Sequence, residues 1–400
     1  MPREDLAALA VPPGKARPAR RSRYWLLAAS AGVAGLIALP AAAGPASAAT
    51  SPPGWHITKV FGASYQYPNY EGLSASGPDD GWLVGQTESD TLSVEHWTGR
   101  AWASVTPPAK FDEVGVAASD SVVGSASAAD MWTFPSRASG LYALHWTGSG
   151  WHGYRLRGVA AIFGTAVFSD SDAWAFGQST TGKIGLGNSS PFVARFDGSG
   201  WKRSSMPGVP VNVSALAAHD IWAFGPTTST AADGRAAQDV VAMHWTGHRW
   251  YTRQIPLAAG DFVIAAAATA VHSLWAVEEP VGSPAGTGSS AGPMRVFHWN
   301  GSRWTDVVTD AADVYQGALA SDGHGGIWVQ AMSARTHKAD LVHFSAGHLT
   351  RSALPGKRGY TAEGGGLSLI PGTRSLFADV GLNPDAIGKA SETAVARYTP

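Results

Sequence analysis

An all-β ring of seven four-stranded blades, a β-propeller, is the fold class this sequence predicts, on three observations. Two short words alternate along the chain, each written seven times with a period of about fifty residues, in the range of propeller repeats. Each unit reads as short apolar runs separated by glycine-rich turns, the pattern of all-β folds. The last unit stops after its third strand, and the piece it lacks stands near the start of the chain.

The first word reads DDGWLVG (Asp79 to Gly85), ADMWTF (Ala129 to Phe134), DAWAFG (Asp172 to Gly177) and DIWAFG (Asp220 to Gly225). Weaker copies are SLWAV (Ser273 to Val277), GIWVQ (Gly326 to Gln330) and SLFADVG (Ser375 to Gly381). The second word reads HWTGRAW from His96, HWTGSGW from His145, RFDGSGW from Arg195, HWTGHRW from His244 and HWNGSRW from His298. It decays to HFSAGHL from His343 and ends truncated as RYTP from Arg397. The tight turn inside this word carries glycine, which reaches positive φ without steric cost. Four strands per unit and seven units argue for a propeller. The stretch PGWHITKV, Pro53 to Val60, supplies the missing fourth strand, so one blade is expected to join both chain ends and leave no open sheet edge.

The alternating D-x-W-A-x-G and H-W-x-G-x-x-W words resemble the tryptophan-rich repeats of secreted actinobacterial propeller proteins, related in architecture to kelch and galactose oxidase propellers. The resemblance spans nearly all of the chain after the leader. It implies the fold; it implies no particular activity, because one scaffold hosts many.

The N-terminus reads as a targeting segment. Lys15, Arg17, Arg20, Arg21 and Arg23 precede an apolar run from Trp25 to Leu39, and small residues end in Ala46-Ser47-Ala48. The run is short for a membrane span. Residues 1–48 are thus expected to be a secretory signal, with Arg20-Arg21 weakly similar to a twin-arginine type, and residues 49–400 a single extracellular domain. A formal net charge of -1 provides no field for nucleic acid. Zero cysteines exclude disulfides, thiolate metal sites and the cysteine–tyrosine cofactor of galactose oxidase.

The repeated residues read as framework. A tryptophan needed in every blade is expected to fill the wedge between blades. His96, His145, His244, His298 and His343 fall one per blade, too far apart to share a metal, and arginine replaces histidine at 195 and 397. Their tips are expected to bond an adjacent turn. Asp130, Asp172 and Asp220 are expected to bond local backbone amides. No metal or cofactor is expected.

Loops after the second and fourth strands vary and share one face, the default binding face. The candidate ligand-binding residues there are Tyr70, Glu71, Glu113, Tyr315, Gln316, Tyr360 and Glu363. Gln316, Glu363, Glu71 and Glu113 would make one side of the channel mouth acidic, while Phe163, Val211 and Phe262 line the other. A half-acidic, half-apolar mouth suits a sugar or a peptide. The expected function is an extracellular binding module, a monomer, for a glycan, cell-wall polymer or extracellular protein. The alternatives are a glycoside hydrolase or lyase using mouth carboxylates, and a scaffold that only holds a protein partner.

Overall fold

The computed structural model describes residues 54–61, 69–87, 91–111, 122–137, 139–179, 190–227, 229–230, 236–237, 240–257, 262–279, 295–307, 313–333, 339–345, 347–385 and 391–400. The leader reading at residues 1–48 lies outside them.

Seven antiparallel sheets follow one another along the chain, each with its first strand innermost. Blade 1 holds Asn69–Gly77, Asp80–Gln86, Leu92–Trp97 and Trp102–Ser104. Blade 2 holds Val123–Ser127, Asp130–Thr133, Gly140–Trp146 and Trp151–Leu156, with the two-residue strand Ser136–Arg137 paired beside its third strand. Blade 3 holds Val159–Ser169, Asp172–Ser179, Pro191–Phe196 and Trp201–Ser204. Blade 4 holds Asn212–Ala217, Asp220–Pro226, Val240–Trp245 and Trp250–Gln254. Blade 5 holds Phe262–Ala270, Ser273–Glu279, Arg295–Trp299 and Trp304–Val307. Blade 6 holds Asp313–Ser321, Ile327–Ser333, Ala339–Ser345 and His348–Ala353. Blade 7 holds Tyr360–Leu369, Leu376–Pro384 and Glu392–Thr399 and takes Gly54–Phe61 as its outer strand.

The closing pair runs from Gly54 opposite Thr399 to Phe61 opposite Thr393, with one bulge between Ile57 and Lys59. Trp55 and Tyr398 meet there at 5.3 Å between ring centroids. They stand where blade 1 has Trp97 and Trp102, 5.7 Å apart, and blade 4 has Trp245 and Trp250, 5.6 Å apart. The N-terminal strand therefore completes the same kind of aromatic pair that blades 1 to 5 carry within one hairpin.

Each inner strand touches the inner strands of its two neighbours, and the last touches the first. Small residues make this approach possible. A Cβ at Gly124 would lie 2.7 Å from Thr165 Cγ2 in the next blade. Serine hydroxyls then tie blade to blade: Ser368 Oγ accepts from Ala75 N at 3.1 Å, Ser74 Oγ from Ser125 N at 3.1 Å, and Ser214 Oγ from Ala268 N at 2.9 Å.

The core is a set of wedges, one at each junction. Trp82 packs with Met131 and Leu144 of blade 2, and Trp132 with Phe196 and Trp201 of blade 3. Trp174 packs with Ile221 and Trp245, and Trp222 with Leu274 and Trp299. Trp275 packs with Phe344, Trp328 with Tyr398, and Phe377 with Trp97 and Trp102. Each ring leaves its own second strand and enters the following blade, so the seventh interaction closes on the first.

The tight turns between third and outer strands share one geometry. Gly99, Gly148, Gly198, Gly247 and Gly301 adopt φ between 82° and 92°. That region favours glycine, which explains why the repeat keeps it where its neighbours vary.

Two predictions follow from this packing. Trp174→Ala and Trp222→Ala each empty a junction in which the ring is about 98–99% buried, at 2% and 1% exposure. Each is expected to cost about 3–5 kcal/mol, read as a lowered urea midpoint. Deleting residues 54–61 bares the edge of Glu392–Thr399. The shortened chain is expected to self-associate, seen as concentration-dependent light scattering that the parent lacks.

Candidate functional site

The repeated polar residues form a clamp in every blade from 1 to 6. Imidazole Nε2 of His96 meets Asp80 Oδ1 at 2.6 Å, His145 meets Asp130 at 2.8 Å, and His244 meets Asp220 at 2.7 Å. The same rings stack on the second-strand tryptophans: His96 on Trp82 at 4.1 Å, His145 on Trp132 at 4.1 Å and His244 on Trp222 at 3.9 Å. The aspartate therefore holds a side chain of the third strand. The expectation that Asp130, Asp172 and Asp220 serve local amides differs from this geometry, since each carboxylate bonds the imidazole or guanidinium of the neighbouring third strand. In blade 3, Arg195 grips Asp172 through two bonds of 2.8 Å, and its guanidinium lies 5.3 Å from the Trp174 ring centre. That paired contact with Asp172 raises the Arg195 pKa further.

Blades 5, 6 and 7 vary the clamp. His298 meets Ser273 Oγ at 3.0 Å and stacks on Trp275. Burial without an acidic partner pushes its pKa down. In blade 6 the aspartate comes from the turn itself: Asp322 reaches His343 at 2.9 Å and also accepts the amides of His324 and Gly326. The sequence word GIWVQ hides this residue, because the turn before it is longer. In blade 7 Arg397 sits over Phe377 at 5.8 Å.

The variable face is described only in part. Tyr70 and Glu71 begin the inner strand of blade 1, and Tyr315 and Gln316 lie on that of blade 6; their side chains are outside the described residues, as is all of Glu113. Tyr360 and Glu363 lie on the inner strand of blade 7. Tyr360 is half-buried; its hydroxyl donates to Glu392 Oε1 at 3.1 Å, with Lys357 4.8 Å over the ring. Burial and then the Glu392 carboxylate raise its pKa. Glu363 is exposed. The described side chains thus bring no two mouth carboxylates together. Among the described residues, no group of three or more His, Asp or Glu is placed to hold a metal.

A cleft of about 600 Å³ opens instead on the opposite face, between blades 2 and 3. Its floor is the Asp130–His145 clamp; Tyr154, Phe168 and Phe196 supply aromatic wall, and Ser127, Thr147, His152, Ser169 and Asp170 the polar rim. Two differences from blade 1 stand at it. Phe196 stands where blades 1 and 2 carry Trp97 and Trp146, whose indoles donate to the turn carbonyls of Pro78 and Ala128 at 3.1 and 3.2 Å. Phenylalanine cannot make that bond, so the turn at Ser169–Asp170 is not drawn in. Blade 6 also has phenylalanine, Phe344, but there Trp275 Nε1 and Thr269 Oγ1 bind the turn through Gly325 O at 3.0 and 3.3 Å. The second difference is Ala126. In blade 1 the hydroxyl of Ser76 bonds Asp80 Oδ2. Alanine offers none, and Asp130 Oδ2 is buried without a donor. The sequence reading assigns Asp130 and His145 to framework and takes the opposite face, with its variable loops, as the binding face.

No protein-family model and no curated protein matches the chain. Among solved structures it is similar to YCF48 bound to D1 peptide, at 13% identity and a TM-score of 0.52, covering 88% of this chain and 99% of that one. YCF48 from Cyanidioschyzon merolae gives 12% identity and a TM-score of 0.53, covering 87% and 99%. The SapL1 lectin in complex with alpha methyl fucoside gives 12% identity and a TM-score of 0.46, covering 73% and 98%. At these identities the likeness is one of fold: a propeller.

The blade 6 clamp sets a pH dependence. Burial alone would raise the Asp322 pKa, but the bonds from His343 and the amides of His324 and Gly326 outweigh it and hold the carboxyl below its ordinary value. A carboxyl depressed in the folded state contributes stability above its unfolded pKa and loses it as pH falls through the folded one. Asp322→Asn is therefore expected to be less stable than the parent at about pH 6 and to lose less stability on acidification to about pH 3. Urea midpoints across that range check it; parallel curves would refute the assignment.

Proposed function

We propose that this chain is an exported binding module that takes a saccharide unit of a glycan or cell-wall polymer in the cleft between blades 2 and 3. The observation that carries the reading is the cleft itself: aromatic wall from Tyr154, Phe168 and Phe196 beside a rim of hydroxyl, imidazole and carboxylate groups. Sugar rings present an apolar face and a polar edge, and pockets that hold such ligands combine apolar walls with a few placed polar groups. The volume falls in the range of small-molecule sites. The rigid ring suits this task, because its inner strands and wedges fix the cleft walls before a ligand arrives. The basic and apolar leader supports an extracellular setting. A peptide ligand is the second reading, motivated by YCF48, whose structure holds a D1 peptide on the same architecture.

The test is an array of glycans, cell-wall polymers and peptides probed with the purified protein, followed by titration of every hit. Two exposed cleft positions serve as controls: His152→Ala removes a rim group, and Ser127→Trp fills the space with an indole. Both are expected to melt like the parent and to weaken binding by about tenfold or more. A hit whose affinity ignores both changes binds elsewhere and sinks the cleft reading. A peptide hit abolished by Ser127→Trp selects the second reading.

A further inference from the structure

We propose that the cleft between blades 2 and 3 selects an amino sugar, with the primary ammonium group directed to Asp130. The inference rests on the reading of this cleft as the binding site and adds the charge of its ligand. The lining contains two carboxylates, Asp130 and Asp170, and neither lysine nor arginine. Two cations of blade 3 are already engaged, Arg195 with Asp172 and Lys202 with Asp197. The cleft therefore carries an acidic surplus that disfavours an anionic ligand and favours a cation.

The carboxylate of Asp130 is only half used. Its Oδ1 takes the His145 bond at 2.8 Å, while Oδ2 is buried with no donor. In blade 1 the corresponding oxygen of Asp80 has the Ser76 hydroxyl, and here that position is Ala126. A buried carboxylate oxygen without a donor is costly. An ammonium group brings three donors and a charge, and its hydrogen bond to a carboxylate is roughly twice as strong as a neutral one. A sugar hydroxyl at the same place brings one neutral donor.

The walls add to the preference. Aromatic faces attract a cation within about 6 Å of the ring centre, and Tyr154, Phe168 and Phe196 supply three rings. The rim distinguishes an amino sugar from a bare alkylammonium. Ser127, Thr147 and His152 offer partners for ring hydroxyls that a lysine side chain lacks.

Three probes differing only at one ring substituent test this: methyl glucosaminide, methyl N-acetylglucosaminide and methyl glucoside, titrated calorimetrically against the full chain at neutral pH. The glucosaminide is expected to bind about tenfold or more tightly than the other two. That advantage is expected to vanish in Asp130→Asn, which keeps an acceptor for His145, and to shrink in Asp170→Asn, an exposed position. Melting temperatures close to the parent's certify both folds. Raising salt should erode the advantage as well, since it is a charge effect. Equal affinities for the three probes, or an advantage that survives both variants, overturns the proposal and leaves the binding reading standing. So does the absence of binding by all three when an array hit still responds to Ser127→Trp. Nα-acetyl-lysine amide binding as tightly as the glucosaminide overturns the sugar assignment. If no hit of any kind responds to Ser127→Trp, the binding reading itself fails.

Discussion

The ring depends on one contact made seven times: an aromatic side chain from the second strand of each blade, inserted into the sheet that follows. Trp82, Trp132, Trp174 and Trp222 are 0–2% exposed, and Phe377 does the same work at the last junction. The buried indole N–H groups of those four tryptophans have no acceptor, so area and fit, rather than a hydrogen bond, hold them there. A flat ring is suited to the task because twisted sheets meeting at an angle leave a wedge that aliphatic chains fill poorly. Everything outward of the wedge then follows. The third-strand histidine stacks on the ring from its own blade, and the turn aspartate fixes the histidine. A loss at one junction reaches the turns of that blade through this chain of contacts.

Closure works on the same terms. An open array of blades would leave the wedge ring of its last member, Phe377, facing water, and the first blade's Trp97 and Trp102 unfilled. Joining them buries both at once: Trp97 and Trp102 lie 5.7 and 5.4 Å from the Phe377 ring. The seam is secured by Trp102 Nε1, which donates to Thr58 Oγ1 at 3.0 Å, and by Lys59 Nζ on Glu95 at 2.8 Å. Both partners lie on the N-terminal strand, so the strand that completes blade 7 also bonds blade 1. Equivalent outer-strand bonds join other blades, Trp151 Nε1 to Thr106 O and Trp304 Nε1 to Gln254 O.

The fold was legible in the sequence because each blade poses the same packing problem and solves it with the same residues. Trp174 and Trp222 announce a junction, Gly198 and Gly247 a turn, and RYTP followed across the chain ends by GWHITKV announces the seam. Legibility faded where the problem had more than one solution. Asp322 does the work of Asp80 from a different place in a longer turn, and no spacing rule finds it. Glu71, Glu113 and Gln316 were chosen for lying in variable loops, and a loop position says little about where a side chain points. The cleft was hidden for the opposite reason. Its clamp, Asp130 and His145, is made of repeat positions, and its signal is a pair of small differences from blade 1, Phe196 against Trp97 and Ala126 against Ser76, which blades 2 and 3 place on either side of one junction.

On the proposed reading, that arrangement is how a repeat protein acquires a site. A scaffold of identical blades has identical junctions, and a junction that is filled binds nothing. Recognition requires that one junction be left incomplete while the others hold the ring. Blade 3 keeps the wedge partner Trp201, which meets Trp132 nearly edge-on at 5.1 Å and 87°, so the junction retains its core. What it lacks beside blade 1 is one indole N–H and one hydroxyl, while Arg195 replaces the imidazole and keeps Asp172 bonded. The exchange leaves the buried area of the wedge intact, and its cost falls on the buried Asp130 oxygen that has no donor. Six other junctions hold the ring, and Asp130 keeps an acceptor open that the proposed ligand would fill.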